Sequence, residues 1–379
     1  MKIAIFCQSI TKEILHKDVG QLGEGFRDLG HDVYYITLLS NVDIADDNLI
    51  KINPNELKTE SFWLKHKFDL VIFYSWLSYK FYDVLKNINK SGTKLIIKAD
   101  TSGHIVPPLR PLYLRFPGYF ENTKDFLYYI LRTIQWSFFY KFFVKKKLEQ
   151  IKFSEFTIIE SPKALNNIAY LLYYWGLEDL ISKIEFIPNP VCSEINNKNL
   201  LTINKENVVI SVANFNQRAK NIIILGKALS VFLKIRKDFR AYLIGRGSEK
   251  IKKYIQKDVQ NRVDFMISQE HKDLIKFYDK AKIFFLPSIW EGSPLTAAEA
   301  LTRGCSIVGT PLEALDYFCN NGKSGTISSN FSLEAITAAL ILDAQKWDRN
   351  EYNPQNIASF WSEVFDRTNI AKLILSKLK

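Results

Sequence analysis

The sequence predicts the α/β class, with two parallel β-sheets in consecutive parts of the chain. Short runs of β-branched and aromatic residues alternate with longer amphipathic segments, as expected for buried parallel strands joined by crossover helices. At 379 residues the chain is longer than one hydrophobic core usually organises. A polar, proline-marked stretch over 188–206 also interrupts the alternation, so we expect a domain boundary there.

The predicted strands lie on both sides of that stretch. They are 3–6, 33–37, 70–74, 95–98 and 157–160 before it, and 208–212, 241–244, 263–265, 283–286 and 306–308 after it. Apolar residues at helical spacing over 356–379 predict one or two C-terminal helices that pack across the domain junction. We therefore expect two Rossmann-like domains, over 1–190 and 207–350, followed by C-terminal helices over 351–379.

Composition excludes several classes of protein. Hydrophobic residues make up 47% and charged residues 24%, which is typical of globular domains. The four cysteines are scattered, so neither a zinc site nor a disulfide framework is predicted, and a reducing cytoplasm fits best. A strand directly after Met1-Lys2 leaves no room for a secretory signal. The net charge of +11 favours an anionic partner without choosing among nucleic acid, acidic lipid and nucleotide diphosphate.

The segment after the predicted strand 283–286 has the local signals of a tight loop followed by a helix. Ser293 is a suitable N-cap, Pro294 suits the first helical position and Gly304 suits the exit, so a helix over 294–303 is expected. A helix that begins beyond the carboxyl end of a strand offers unpaired N–H groups and a partial positive charge. This segment therefore predicts an anion site that suits a diphosphate.

Two glutamates frame this predicted anion site. Glu291 lies in the loop and Glu299 lies more than one turn inside the helix, so they are placed to reach different parts of one ligand. Sugar and ribose hydroxyls are natural donors to carboxylates. The alternative is that both are ordinary solvated surface acids.

This stretch resembles the Glu-x7-Glu signature of retaining glycosyltransferases of family 4 and their relatives, the glycosyl transferases group 1. The usual form is Glu-Gly-Phe-(Gly/Pro)-x-x-x-x-Glu-Ala-x-(Ala)-x-Gly-x-Pro-Val. Ser293 replaces the aromatic residue and Ser306 the later proline, whereas the matching residues are Glu291, Gly292, Pro294, Glu299, Ala300, Gly304 and Val308. The resemblance implies the GT-B fold, in which an N-terminal acceptor-binding domain and a C-terminal nucleotide-sugar-binding domain face each other across a cleft.

The resemblance also implies roles for these residues. Glu299 would bind the nucleotide ribose, and Glu291 would contact the donor sugar in the catalytic centre. The donor phosphates and sugar would be held by the loop and first helical turn, which comprise Gly292, Ser293, Pro294, Leu295 and Thr296.

A second matching segment follows the first predicted strand of the second domain. The family usually has Gly-Arg-x5-Lys-Gly here, a basic pair that neutralises the leaving diphosphate. Lys220 lies at the lysine position, whereas Asn214 occupies the arginine position. Arg218 either substitutes for that arginine in catalysis or is a solvated loop residue.

Other resemblances concern the remaining donor contacts. Gly245 begins a Gly-x-Gly segment that suits close approach of the backbone to a ligand, and Arg246 within it either contacts a phosphate or faces water. Phe265 lies on a strand that resembles the family's strand near the nucleotide base. In the first domain, Gly20 would approach the donor phosphate. His104, after the strand 95–98, is either a catalytic residue of the cleft or an ordinary loop histidine.

The segment 126–147 is rich in aromatic residues and interrupted by basic ones. Arg132, Gln135 and Lys141 break the apolar run, which favours an interfacial helix over one that spans a membrane. With 107–116, it would form a surface over 107–147 for peripheral contact with the acidic inner face of the cell membrane. The alternative is a domain helix whose aromatic face packs on the first sheet while its lysines extend to water.

Taken together, these features predict a glycosyltransferase that moves a sugar from a nucleoside diphosphate sugar to a hydroxyl acceptor. The expected acceptor is a surface polysaccharide or lipid-linked glycan precursor, and retention is implied by the resemblance alone. No Asp-x-Asp motif occurs, so we expect neither a metal nor a cofactor beyond the donor substrate. Three rivals are a catalytically weak nucleotide-sugar-binding scaffold, a sugar-nucleotide epimerase and a nucleic-acid-binding protein, and no recognised motif supports the last.

Overall fold

The computed structural model describes residues 1–40, 42, 48–116, 118–196, 204–267 and 271–378. The chain divides into two compact units. The first comprises Met1–Pro111, Glu121–Cys192 and Arg367–Lys379, and the second comprises Leu112–Phe120 and Ser193–Asp366. Part of the predicted interdomain stretch, 197–203, lies outside the described residues.

The first unit is built on a parallel sheet of seven strands. The strands described before residue 193 are β1 (Lys2–Phe6), β2 (Ser9–Ile10), β3 (Asp32–Thr37), β4 (Leu39–Ser40), β5 (Leu49–Lys51), β6 (Leu70–Tyr74), β7 (Lys94–Lys98), β8 (Phe156–Ile159) and β9 (Ile184–Phe186). The order in the sheet is β5-β3-β1-β6-β7-β8-β9, while β2 and β4 form a separate parallel pair. Counted along the sheet, the first six strands follow the 3-2-1-4-5-6 order of a Rossmann fold.

Helices connect these strands. They are α1 (Lys12–Leu15), α2 (Asp18–Asp28), α3 (Pro54–Leu57), α4 (Glu60–His66), α5 (Tyr82–Lys90), α6 (Thr123–Phe138), α7 (Tyr140–Glu149) and α8 (Pro162–Tyr174). The predicted aromatic segment 126–147 is thus two helices, α6 and α7. None of the helices in the described ranges combines the length and the apolar character needed to cross a bilayer.

The second unit repeats the same architecture with six parallel strands in the order β12-β11-β10-β13-β14-β15. The strands are β10 (Glu206–Val212), β11 (Arg240–Ile244), β12 (Val263–Met266), β13 (Ala281–Leu286), β14 (Ser306–Gly309) and β15 (Gly325–Ile327). Its helices are α9 (Ile222–Ile235), α10 (His271–Lys280), α11 (Leu295–Thr302), α12 (Glu313–Cys319), α13 (Leu333–Asp348) and α14 (Pro354–Val364). The final helix, α15 (Arg367–Ser376), belongs to the first unit.

Every strand predicted from sequence is present, within two residues at either end. The additional strands β2, β4, β5, β9 and β15 contain two or three residues each. Such short strands carry too few residues for a periodic pattern, and their pairing partners in the sheet define them instead.

The apolar strands are buried on both faces, as parallel sheets require. Ala4 and Phe6 of β1 face one core of the first unit, whereas Ile3 and Ile5 face the other. Side chains alternate between the faces of a strand, so a continuous apolar run supplies both cores.

The predicted cap of the helix that carries Glu299 is wrong. Pro294 is the N-cap residue, with extended backbone angles and no side-chain cap, and α11 begins at Leu295 instead of Pro294. The carbonyl of Pro294 accepts the amides of Ala297 and Ala298 at 3.0 and 3.2 Å, so the proline starts the helix through its carbonyl. Gly304 follows the helix with φ +76°, in agreement with its predicted place at the exit.

The two C-terminal helices belong to different units. Helix α14 packs on α11 in the second unit, whereas α15 packs on α2 in the first. The contact in the first unit is tight at Gly25 of α2, where an added Cβ would lie 2.4 Å from the carbonyl oxygen of Arg367. Arg367 is also paired with Asp28 at 2.8 Å, which fixes the start of α15.

We expect Gly25→Ala to lower the melting temperature of the first unit, because the new methyl group would collide with α15 at a cost of about 1–3 kcal/mol. The direction is diagnostic, since alanine in a helix without this contact stabilises it by about 1 kcal/mol relative to glycine. Thermal unfolding followed by circular dichroism measures the change. An unchanged or higher melting temperature would contradict the described packing of α15 on α2.

Candidate functional site

The candidate site lies at the carboxyl ends of two neighbouring strands of the second unit. Strand β10 pairs with β11 on one side and with β13 on the other, so the loops after β10 and β13 are adjacent. The amide of Ile289 donates to the carbonyl of Ala219 at 2.9 Å, and the side-chain amide of Asn221 donates to the carbonyl of Pro287 at 3.2 Å. These bonds hold the two loops together.

An ion pair joins the two loops at their tips. Nζ of Lys220 lies 2.6 Å from Oε1 of Glu291, and the hydroxyl of Ser288 donates to the same oxygen at 2.6 Å. The exposed fractions are 14% for Lys220 and 9% for the Glu291 side chain, so the pair is shielded from water on most sides. The structure thus brings together two residues that are 71 positions apart and that the sequence assigned to one site.

Glu299 is held by a residue that the sequence analysis did not identify. The hydroxyl of Tyr278, on α10, donates to Oε2 of Glu299 at 2.9 Å, and both side chains are buried. Burial, followed by the nearby Glu299 carboxylate, raises the pKa of Tyr278 well above its ordinary value. The tyrosine therefore keeps its proton and remains a donor that orients the carboxylate.

Charged residues anchor the C-terminal end of α11, and among them Arg303 is buried. Arg303 is paired with Asp279 at 2.6 Å, and Nζ of Lys205 donates to the carbonyls of Arg303 and Tyr278, both at 2.7 Å. Burial lowers the pKa of Lys205. This anchoring fixes the helix that presents Glu299.

Asn214 and Gly245 shape the loops around the site. The side-chain oxygen of Asn214, at the position where the family usually has arginine, accepts the amide of Asn216 at 3.2 Å. Gly245 has φ +136°, and an added Cβ would lie 1.9 Å from the carbonyl oxygen of Ala213, so only glycine fits there. The side chain of Asn214 is thus used in a turn, and the requirement for glycine at 245 comes from a neighbouring loop.

The other predicted donor-binding residues differ in burial and in their distance along the sheet from β10. Arg246 is exposed, and its carbonyl accepts the amide of Phe215 at 2.8 Å. Phe265 is half-buried on β12, two strands away from β10 in the sheet. Between Glu291 and Glu299, the structure buries Pro294 and leaves half-buried the residues Gly292, Ser293, Leu295 and Thr296.

Arg218 precedes Lys220 in a short 3-10 turn, Arg218–Lys220. Its guanidinium lies 6.0 Å from the ring centroid of Tyr119, a residue of the short segment that groups with the second unit. Arg218 is therefore in contact with the protein and is not simply a solvated loop residue.

The site residues predicted for the first domain, Gly20 and His104, lie in the first unit. Gly20 is inside α2, where an added Cβ would lie 2.0 Å from the carbonyl oxygen of Leu15, so close packing of the chain accounts for glycine at this position. His104 is exposed, with Nε2 3.3 Å from the side-chain amide of Asn167.

The first unit also holds a buried charged cluster that the sequence analysis did not single out. Lys98, the last residue of β7, lies 3.3 Å from Oε1 of Glu160, which also accepts the amide of Asp100 at 3.0 Å. The indole of Trp76 donates to Asp100 at 3.3 Å. Burial, then Glu160 and Asp18, raises the pKa of Asp100 to about 7. Charged residues at the ends of otherwise apolar strands were the signal that could have found this cluster.

The comparison with known protein families concerns the second unit. Residues 193–353 match the family of glycosyl transferases group 1. The two Rossmann-like units together have the GT-B fold. No curated protein matches the chain by sequence.

Solved structures that resemble the whole chain are GT-B proteins of low sequence identity. A sucrose-phosphate synthase from Thermosynechococcus elongatus matches with TM-score 0.64 and 15% identity over 99% of this chain and 97% of its own. HepE of Anabaena in complex with UDP and glucose matches with TM-score 0.64 and 14% identity over 100% and 99%. WaaG, a glycosyltransferase involved in lipopolysaccharide biosynthesis, matches with TM-score 0.60 and 14% identity over 100% and 99%. At this identity, the likeness establishes the fold.

The raised pKa of Asp100 predicts a pH dependence of stability. A carboxyl whose pKa is higher in the folded state stabilises the fold at acidic pH, and this contribution is lost as pH rises through about 7. Asp100→Asn removes the ionisation, so the melting temperature of the variant relative to wild type should increase by roughly 2–4 °C between pH 5 and pH 8. Asp83→Asn, at an exposed position on α5, is the control and should show no such increase. Parallel curves for Asp100→Asn and wild type would contradict the buried cluster.

Proposed function

We propose that the protein transfers a sugar from a nucleoside diphosphate sugar to a hydroxyl group of an acceptor. The observation that carries this proposal is the Lys220–Glu291 ion pair, which lies beside the loop that leads to Glu299 on α11. A cation for a diphosphate and carboxylates for sugar and ribose hydroxyls then meet at the carboxyl edge of one sheet, where open α/β sheets bind ligands.

A uridine diphosphate sugar is the first donor to test. HepE was solved with UDP and with UDP-glucose, and the likeness of its fold to this chain supports a donor of that class. In this proposal the residues 292–296, half-buried except for Pro294, offer backbone groups to the diphosphate, and the hydrogen bond from Tyr278 holds the Glu299 carboxylate in place. In this proposal Glu299 holds the ribose and Glu291 contacts the donor sugar.

The proposed reaction breaks the bond between the anomeric carbon and the diphosphate and forms a bond from that carbon to the acceptor oxygen. Lys220 and Arg218 stabilise the charge that develops on the departing diphosphate, in place of a metal ion. The diphosphate accepts the proton of the acceptor hydroxyl, and the new bond retains the anomeric configuration. The protein thus contributes mainly positioning and charge stabilisation.

In this proposal the first unit binds the acceptor, and His104, in the loop that follows β7, lies in that unit. A surface polysaccharide or a lipid-linked glycan precursor fits an enzyme that works at the inner face of a membrane. Such an acceptor requires a part of the protein that contacts lipid.

Helix α6 provides that contact surface. It has no buried residue over Thr123–Phe138, although its side chains are largely apolar. Exposed apolar residues cover α6 and the start of α7, with Phe138 82% exposed, and they include Leu127, Tyr128, Leu131, Ile134, Phe139 and Phe142. Basic residues interleave with them, at Lys124, Arg132, Lys141, Lys145, Lys146 and Lys147. Exposed apolar groups flanked by lysine and arginine suit the headgroup boundary of an acidic bilayer.

The surface that we propose for contact with lipid is narrower than the range predicted from the sequence, 107–147. Tyr113 and Phe116 are buried in the second unit, so their rings are not available to lipid. The lipid-facing residues that we propose therefore start at α6.

Nucleotide binding is tested by a thermal-shift panel of UDP, GDP, dTDP and ADP with their common sugar conjugates. We expect one base to raise the melting temperature, because a ligand that binds only the native state stabilises it. Glu299→Ala should weaken that ligand by at least about tenfold, and Tyr278→Phe should weaken it less. Glu334→Ala, at an exposed position of α13, is the control. The absence of a shift with any nucleotide would overturn the proposal and favour a scaffold without donor binding.

Membrane contact is tested by co-sedimentation with vesicles of phosphatidylglycerol and phosphatidylcholine. Leu131→Glu should reduce the bound fraction by at least about tenfold, since it removes a leucine that enters the bilayer and adds an anion. Ile235→Glu is a matched control, because Ile235 is also exposed, at 56% against 66% for Leu131, but ends α9 in the second unit. Equal binding of wild type, Leu131→Glu and Ile235→Glu to the vesicles would contradict the proposed contact between α6 and the membrane.

A further inference from the structure

A nine-residue strap, residues 112–120, connects two parts of the first unit but packs within the second. The chain leaves the first unit at Pro111 and rejoins it at Glu121, and Pro117 lies outside the described residues. Four of the residues in the strap are aromatic: Tyr113, Phe116, Tyr119 and Phe120. The strap is therefore a part of the second unit that the order of the sequence does not place there.

The strap packs on the loop that carries Glu291. Tyr113, Phe116 and Ile289 form one buried cluster, in which Ile289 is 1% exposed. The ring of Phe116 also meets that of Phe331 edge-on, at 6.2 Å between centroids. Since Ile289 lies two positions before Glu291 and its amide is bonded to Ala219, the strap is joined through one residue to both loops of the candidate site.

A second contact connects the strap to the loop after β10. The ring of Tyr119 stacks on that of Tyr113, with centroids 4.3 Å apart and planes 15° from parallel. The guanidinium of Arg218 lies over the Tyr119 ring at 6.0 Å, within the range of cation–π attraction. Tyr119 is half-buried, and its ring also meets that of Phe120 edge-on at 5.0 Å, so two neighbouring rings restrict the ring that lies beside Arg218.

The cations near the site indicate what the contact between Arg218 and Tyr119 contributes. Asn214 stands where the family usually has arginine, and its side-chain oxygen accepts a hydrogen bond within a turn. Because the asparagine side chain is uncharged, this position supplies no cation. Lys220 is already paired with Glu291 at 2.6 Å. Arg218 is two residues from Lys220, so the same 3-10 turn carries two cations.

We propose that Tyr119 is a positioning residue of the donor site, which fixes the Arg218 guanidinium toward the diphosphate and so compensates for the arginine replaced by Asn214. The inference rests on the proposed function, since it requires that the site bind a nucleoside diphosphate. A guanidinium that is held in place loses less conformational freedom when the ligand binds, and the affinity for the diphosphate rises accordingly. Tyr119 acts through Arg218 and does not itself touch the ligand.

The test is a double-mutant cycle on the full-length protein, with affinities for UDP and GDP measured by titration calorimetry. Tyr119→Leu removes the ring and should weaken the diphosphate about three- to tenfold, whereas Tyr119→Phe keeps it and should stay within about twofold of wild type. In the Arg218→Ala background, Tyr119→Leu should add less than about twofold, because the partner of the ring is already absent.

Phe331→Leu is the matched control for packing. It removes a ring that packs edge-on against Phe116 of the strap and lies outside both loops of the site, so it should lower the melting temperature without changing diphosphate affinity beyond about twofold. If Tyr119→Leu lowers the affinity equally in the wild-type and the Arg218→Ala backgrounds, Tyr119 does not act through Arg218 and the proposal is overturned. Unchanged affinity in Tyr119→Leu, with wild-type binding intact, would overturn this inference alone. No binding of UDP or GDP by the wild type would overturn the proposed function with it.

Discussion

The pairing of β10 between β11 and β13 is the constraint on which the candidate site depends. In a parallel sheet all carboxyl ends meet at one edge, and the point where the strand order reverses leaves a gap between the loops on either side. That point brings the loop after β10 beside the loop after β13, although 71 positions separate Lys220 from Glu291. The ion pair between them follows from sheet topology and not from local sequence.

The loops keep this arrangement because hydrogen bonds and an ion pair hold α11, the helix that follows the loop after β13. Glu299 is oriented by Tyr278, and α11 is anchored by the Arg303–Asp279 pair and by Lys205. Burying these charges costs free energy that only close pairing offsets. The cost is acceptable where a rigid helix must present one carboxylate in one position, since a displacement of about 1 Å can reduce activity severalfold to a hundredfold.

The chain passes between the units more often than a simple two-domain chain requires. The strap joins the second unit within the first half of the sequence, and α15 returns to the first unit after α14 has packed on α11. The strap continues directly into α6, which begins at Thr123. The segment that packs beside Arg218 and the helix proposed to contact lipid are therefore neighbours along the chain.

The sequence by itself determined the fold class and the strands, and it proposed a segment for the candidate site. Parallel strands that are buried on both faces need continuous runs of apolar residues. For this reason β1, β6 and β13 could be predicted from the sequence. The Glu291 to Glu299 segment was readable because a strand, a loop and a helix leave local signals. The cap at Ser293 was wrong because capping depends on backbone angles at Pro294, which composition alone does not fix.

Only the tertiary structure decided which distant residues meet. Tyr278 is one of 18 tyrosines, and nothing near it in the sequence points to Glu299, since their contact joins two helices that are separated along the chain by β13. Lys98 and Glu160 meet because β7 and β8 are neighbours in the sheet. Tyr119 reaches Arg218 because the strap leaves its own unit. Local periodicity records which face of an element is buried, whereas the partner of each face is set by long-range packing, which a single sequence does not encode in any local pattern.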